Sequence, residues 1–131
     1  MMELVSQLKL NAVAVVNQLY NTQVDESIVK IDKTPPEFEG ELTVVIFPFV
    51  KISRKSPEIT AGEIGAALQQ HNTNIVSFNV VKGFLNISFS DAYWLNVLRT
   101  IQNTADYGQL APTGKKVVLE YCGPNTNKPL H

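Results

Sequence analysis

Phe84 and Asn86 stand two residues apart in the run Gly83-Phe84-Leu85-Asn86. On a β-strand that spacing places both side chains on one face. A ring and an amide side by side have a definite chemistry: the ring can stack on an unpaired nucleobase while the amide hydrogen-bonds the base edge. Stacking contributes about 1–3 kcal/mol per base, which matters within a larger contact but does not support tight binding alone. The plainer alternative is a satellite hydrophobic contact for Phe84 and a sheet-face polar residue for Asn86, and periodicity leaves both open.

Other reactive residue types offer less. Cys122 is the only cysteine, which excludes an internal disulfide and a multi-cysteine metal site, and a nucleophilic role would need a positioned partner. His71 and His131 have no evident acid-base or metal constellation. Glu37, Glu39 and Glu41 lack both a histidine and a calcium-loop spacing, so they read as a solvated loop, and no metal site is expected. Lys51, Arg54 and Lys55 form a small basic run, and Lys82 precedes Gly83. Each is a candidate phosphate contact or an ordinary solvated cation.

The elements that must position these residues follow from periodicity. Leu4, Leu8, Ala12, Val15 and Leu19, widened by Val5 and Val16, recur at helical intervals, with Lys9, Asn11, Asn17 and Gln18 opposite. Residues 28–31 suit a short strand, and after the Pro35-Pro36 break the run Thr43 to Ile46 suits a buried one ending near Pro48. Ser56-Pro57 is a helix start, with Ile59, Ile64 and Leu68 on the apolar side. Val76, Phe78 and Val80 alternate with Ser77, Asn79 and Val81, and Leu85, Ile87 and Phe89 alternate with Phe84, Asn86 and Ser88. The intervening Lys82-Gly83 predicts an antiparallel hairpin with Phe84, Asn79, Asn86 and Ser88 on its second face. Asp91 is placed to cap a last helix carrying Trp94, Leu95, Leu98 and Ile101. The order α-β-β-α-β-β-α predicts an α+β fold: a small four-stranded, mainly antiparallel sheet packed against about three helices, its other face open.

The chain has 131 residues, 44% hydrophobic and 18% charged, the balance of a folded domain with a packed core. Its net charge of -1 does not advertise a nucleic-acid binder. The distribution is uneven: residues 1–50 hold three Lys/Arg against seven Asp/Glu, and residues 51–131 hold eight against five. A polyanion would meet the second part more readily. There is no signal-peptide pattern and no apolar run of the roughly 20 residues needed to span a bilayer, so the expected location is the cytoplasm, without a membrane partner.

After the turn-rich Tyr107-Gly108 and Pro112-Thr113-Gly114, Lys116 to Tyr121 reads as the approach to a parallel strand, followed by Cys122-Gly123-Pro124-Asn125-Thr126-Asn127-Lys128-Pro129-Leu130-His131. This stretch resembles the opening of the class I catalytic domain of arginyl-tRNA synthetases, where Ser-Pro-Asn…Lys-Pro leads into His-x-Gly-His, His131 matching the first histidine. Pro57-Glu58-Ile59 and Gly83-Phe84-Leu85-Asn86 are similar to segments of that family's additional N-terminal domain. The resemblance implies a tRNA-binding domain over residues 1–112, with 113–131 as linker and start of the catalytic domain. It assigns Phe84 and Asn86 to a D-loop base of arginine tRNA, Asn125 to the backbone end of L-arginine, and Lys128 and His131 to the phosphates of ATP, where adenylation develops negative charge. It further implies a monomeric arginine-tRNA ligase using ATP and Mg2+, with these 131 residues inactive alone. Gly123 stands where serine commonly precedes Pro-Asn, so no hydroxyl contact carries over. The alternative is a protein-interaction or assembly domain without base recognition.

Overall fold

A computed structural model of the chain describes residues 2–120 and Gly123. Helix α1 spans Met2–Tyr20. Leu4, Leu8, Ala12, Val15 and Val16 are buried on one side, as their spacing requires. Two residues depart from the expected stripe. Asn11 turns inward, accepting from Gln7 Nε2 at 3.2 Å, while Leu19 is exposed. Asn17 Oδ1 accepts from the Val24 N–H at 2.8 Å and turns the chain back toward the sheet.

The first strand starts later than periodicity suggests. Asp25 accepts from the Ser27 N–H at 2.9 Å and caps a 3-10 turn over Glu26–Ile28, so β1 occupies Ile31–Lys33. Strand β2 spans Leu42–Val45 and runs into a short helix, α2, Phe47–Ser53. Pro48, expected to end a strand, sits in the first turn of α2, where its missing N–H costs nothing. Part of the basic run is therefore helical: Lys51 lies in the last turn of α2, and Arg54 closes it in the left-handed region at φ 56°.

Helix α3, Pro57–His71, begins as expected, with Ser56 Oγ accepting from the Ile59 N–H at 3.3 Å. Thr60 is buried and shares a 2.7 Å hydrogen bond with Ser53. Ile59 faces out, and Ala61, Ile64, Gly65 and Leu68 form the inner side. Strands β3 (Ile75–Val81) and β4 (Phe84–Phe89) form the antiparallel hairpin. Lys82 and Gly83 both have positive φ, 48° and 80°, as a turn matching the twist of its strands requires. An irregularity between Ile75 and Ser77 lets Ile75 take the inner position and leaves Val76 exposed. Helix α4, Asp91–Asn103, is capped by Ser90 rather than Asp91, the serine oxygen accepting from the Tyr93 N–H at 3.1 Å.

The sheet order is β1-β2-β4-β3 with every neighbour antiparallel. Leu42, Val44, Leu85, Ile87 and Phe89 project from one face into a core shared with Leu8, Val16, Phe49, Ile64 and Leu68. Fully burying one such side chain contributes about 1.5–3 kcal/mol, and this layer holds β4 in place. Gly65 allows α3 to approach closely: a Cβ there would lie 2.6 Å from the Phe78 ring and 2.9 Å from Leu85 Cδ1. Residues 104–120 contain no helix or strand and are exposed, so the strand expected after Lys116 is not formed among the described residues. Extended backbone without a neighbouring strand has no ladder to join.

Candidate nucleic-acid interface

The register builds the open face of the sheet in two rows. In one, Asp32 pairs with Thr43, Thr43 with Asn86, and Asn86 with Asn79. In the next, Val45 pairs with Phe84 and Phe84 with Val81. Phe84 and Asn86 thus stand beside each other on the face turned away from the core, as the two-residue spacing predicts. Their exposures differ widely: Phe84 is 41% exposed and Asn86 only 2%. The ring is free to receive a partner, while the amide is held by the protein.

Each has a structural reason for its position. The Phe84 ring rests edge-on against Phe47, with centroids 5.5 Å apart and planes at 83°. Gly83 permits this packing, since a Cβ there would lie 3.0 Å from Phe47 Cζ. Asn86 is covered by the loop before β2. Gly40, at φ 117°, lets the backbone press in so closely that a Cβ would be 3.2 Å from Asn86 Cβ. Thr43 Oγ1 donates to Asn86 Oδ1 at 2.7 Å, and Thr34 Oγ1 lies 3.0 Å from Thr43 Oγ1.

Between this loop and the hairpin lies a cavity of about 330 Å³, with Pro35, Phe38, Val81 and Phe84 as its apolar walls. Thr43 and Asn86 supply polar groups, and Lys33, Lys82 and Asp32 complete the lining. A concave apolar site with a few fixed polar groups suits a flat heteroaromatic ligand. Lysines in the lining suit one attached to phosphate.

The candidate cations separate. Lys82 lines the cavity. Lys51 lies one turn beyond Phe47 on the same side of α2, exposed and close to the aromatic pair. Lys55 instead forms an ion pair with Glu63, whose carboxylate also accepts from the Tyr20 hydroxyl at 2.9 Å, tying α1 to α3. The hydrogen bond from Lys55, then that from Tyr20, holds the Glu63 carboxyl below its usual range. Burial, reinforced by the bond to Glu63, raises the Tyr20 phenol. Arg54 is exposed at the end of α2. Lys33, Thr43, Thr34, Gly40 and Phe47 were not singled out by sequence, because what unites them is cross-strand register rather than local pattern. Among the described residues no group of three His, Cys, Asp or Glu is placed to hold a metal, and no helix is long and apolar enough to cross a membrane. Asn125, Lys128 and His131 lie outside the described residues.

No family model matches the chain. Among curated proteins, it is 49% identical to an arginine-tRNA ligase of Bacteroides thetaiotaomicron over 115 residues, covering 86% of this chain and 19% of that protein. It is 42% identical to that of Phocaeicola vulgatus over 133 residues, covering 99% of this chain and 22% of that protein. The Porphyromonas gingivalis ligase is 44% identical over 132 residues, again 99% of this chain and 22% of that protein. Among solved structures, the arginyl-tRNA synthetase of Thermus thermophilus matches 70% of this chain and 15% of its own, with a TM-score of 0.57 and 21% identity, which supports the fold. The chain spans about a fifth of the length of the curated relatives it matches. On nearly full-length identity above 40%, with the Pro-Asn…Lys-Pro…His run in its sequence, the chain belongs to the arginyl-tRNA synthetase family, of which it represents one part.

Proposed function

We propose that residues 1–112 form a tRNA-contacting domain in which Phe84 stacks on an unpaired D-loop base of arginine tRNA and Asn86 bonds its edge. One observation carries the reading. An exposed ring and a held amide share the floor of an apolar cavity that also has lysines in its lining. Stacking is tolerant of base identity, whereas a fixed amide is selective. Lys82 and Lys51, with Lys33, draw in the phosphates; Arg54 adds to the field from farther along α2, and Lys55 is engaged with Glu63.

The activity proposed for the whole protein is that of its relatives' name, ligation of arginine to its tRNA. ATP and Mg2+ supply the energy, and an arginyl-adenylate is the intermediate. In that protein, a cytoplasmic monomer in this reading, residues 113–131 lead into the catalytic domain. There Asn125 holds the backbone end of L-arginine, and Lys128 and His131 hold the ATP phosphates. The 131 residues by themselves are expected to be inactive.

A second reading, a protein-docking or assembly domain, is favoured by α4, where Leu95 and Leu98 are 54% and 50% exposed. Nuclear magnetic resonance titration with an arginine tRNA transcript separates the two. Base recognition predicts shifts centred on Phe84, Asn86 and Lys82. Shifts confined to α4, or none at any tRNA concentration, would contradict it.

A further inference from the structure

Resting on the base-binding reading, we infer that Thr43, backed by Thr34, is a positioning residue that turns the Asn86 amide donors into the cavity and so selects an unpaired base offering an acceptor there. Thr43 has one hydroxyl proton and two neighbours, Thr34 Oγ1 at 3.0 Å and the Asn86 amide at 2.7 Å. Two arrangements satisfy such a chain. Thr34 can donate to Thr43, which donates to Asn86 Oδ1, or Asn86 Nδ2 can donate to Thr43, which donates to Thr34.

Burial chooses between them. Thr34, Thr43 and Asn86 are 6%, 4% and 2% exposed, so a hydroxyl turned toward its neighbours in this row must find its partner within the protein. With Nδ2 turned inward, Thr43 would donate to Thr34 Oγ1, and the Thr34 hydroxyl proton, which makes no other hydrogen bond among the described residues, would be left without an acceptor. With the opposite direction, Thr34 to Thr43 to Asn86 Oδ1, both hydroxyl protons have acceptors, and a buried donor without one is the costlier defect. With Oδ1 inward, Nδ2 has no protein partner among the described residues. Because no fully buried side-chain nitrogen or oxygen there lacks a partner, Nδ2 must keep its contact with the cavity. Two donors of fixed direction therefore stand beside the Phe84 ring. A base fits them where a ring nitrogen or carbonyl oxygen faces that point, and the four bases differ in where along their edges such acceptors and the competing amino donors lie.

The test uses the full chain and compares wild type with Thr43→Val, which keeps shape and removes the hydroxyl, and Thr43→Ser, which restores it. Four RNA stem-loops, each displaying one unpaired adenine, uracil, cytosine or guanine, serve as probes. Wild type and Thr43→Ser should show the same spread of affinity between best and worst base, and Thr43→Val should reduce that spread by roughly tenfold. An unchanged spread in a folded Thr43→Val, or no spread in wild type, overturns the inference. Thr34→Val, which removes the outer link, takes its place if Thr43→Val does not fold. In the free protein, nuclear Overhauser spectra should show no strong cross-peak between the Asn86 side-chain amide protons and Thr43 Hβ. A strong one means Nδ2 faces inward and overturns the inference without any RNA. By contrast, failure of all four loops to perturb Phe84 and Asn86 counts against base binding itself.

Discussion

Two glycines three residues apart in α3 provide a sharp test of how the helix seats the sheet. Replacing either by alanine should gain about 1 kcal/mol of helix propensity and lost chain entropy. At Gly62 nothing lies within 4 Å of the added Cβ, so the gain should appear intact. At Gly65 the Cβ would lie 2.6 and 2.7 Å from Phe78 ring carbons and 2.9 Å from Leu85 Cδ1. Leu85 is fully buried and Phe78 is packed against the core, so neither yields freely. Overpacking typically costs about 1–3 kcal/mol, which meets or exceeds the propensity gain. Gly62→Ala should therefore be stabilised by about 1 kcal/mol and Gly65→Ala destabilised by up to about 2 kcal/mol. Urea unfolding gives both values, with unchanged m confirming a comparable transition. Because Leu85 lies between Phe84 and Asn86, Gly65→Ala should also shift the resonances of those two residues. Equal stabilisation by the two substitutions would refute the close seating of α3 on β4.

Three further outcomes follow from the same geometry. Phe47→Ala should leave the fold intact, since the ring is 49% exposed, but should weaken tRNA binding severalfold by removing the edge contact worth about 0.5–1.5 kcal/mol that steadies Phe84. Lys82→Ala should reduce the slope of log affinity against log salt by about one, whereas Lys55→Ala, already engaged with Glu63, should alter it less; titrations at several salt concentrations compare them. The Glu63 carboxyl is lowered in the fold, so its stabilisation is present above the carboxylate's unfolded pKa and is lost as pH falls through the folded value. The Tyr20 phenol is raised, so its contribution is full below the ordinary phenol pKa and is lost as pH rises beyond it. Glu63→Gln should flatten the acid limb in urea unfolding curves.

The parts legible in sequence were those encoded by local pattern. Alternation across residues 76–89 and the Lys82-Gly83 turn specified the hairpin, and with it the shared face of Phe84 and Asn86. Ser56-Pro57 located the start of α3. Short range also explains the misses: Pro48 suits both a strand end and a first helical turn, and only the packing of Phe49 in the core selects the helix. The burial of Asn86 was not legible at all. It depends on Thr43, 43 residues earlier, and on the Gly40 backbone, brought alongside by the pairing of β2 with β4. Register of that kind is a property of the assembled sheet.

The base-binding claim rests most heavily on the exposed ring of Phe84. Its direct test is a cycle of four affinities, measured at one stated salt concentration: wild type and Phe84→Ala, each against an arginine tRNA transcript and the same transcript with its unpaired D-loop bases replaced by abasic sites. Loss of stacking worth about 1–3 kcal/mol should weaken wild-type RNA binding about 5- to 150-fold on Phe84→Ala. The same substitution should have almost no effect on the abasic RNA, because the two changes remove one contact. Equal losses on both RNAs, or none on either, would contradict recognition of a D-loop base by this face.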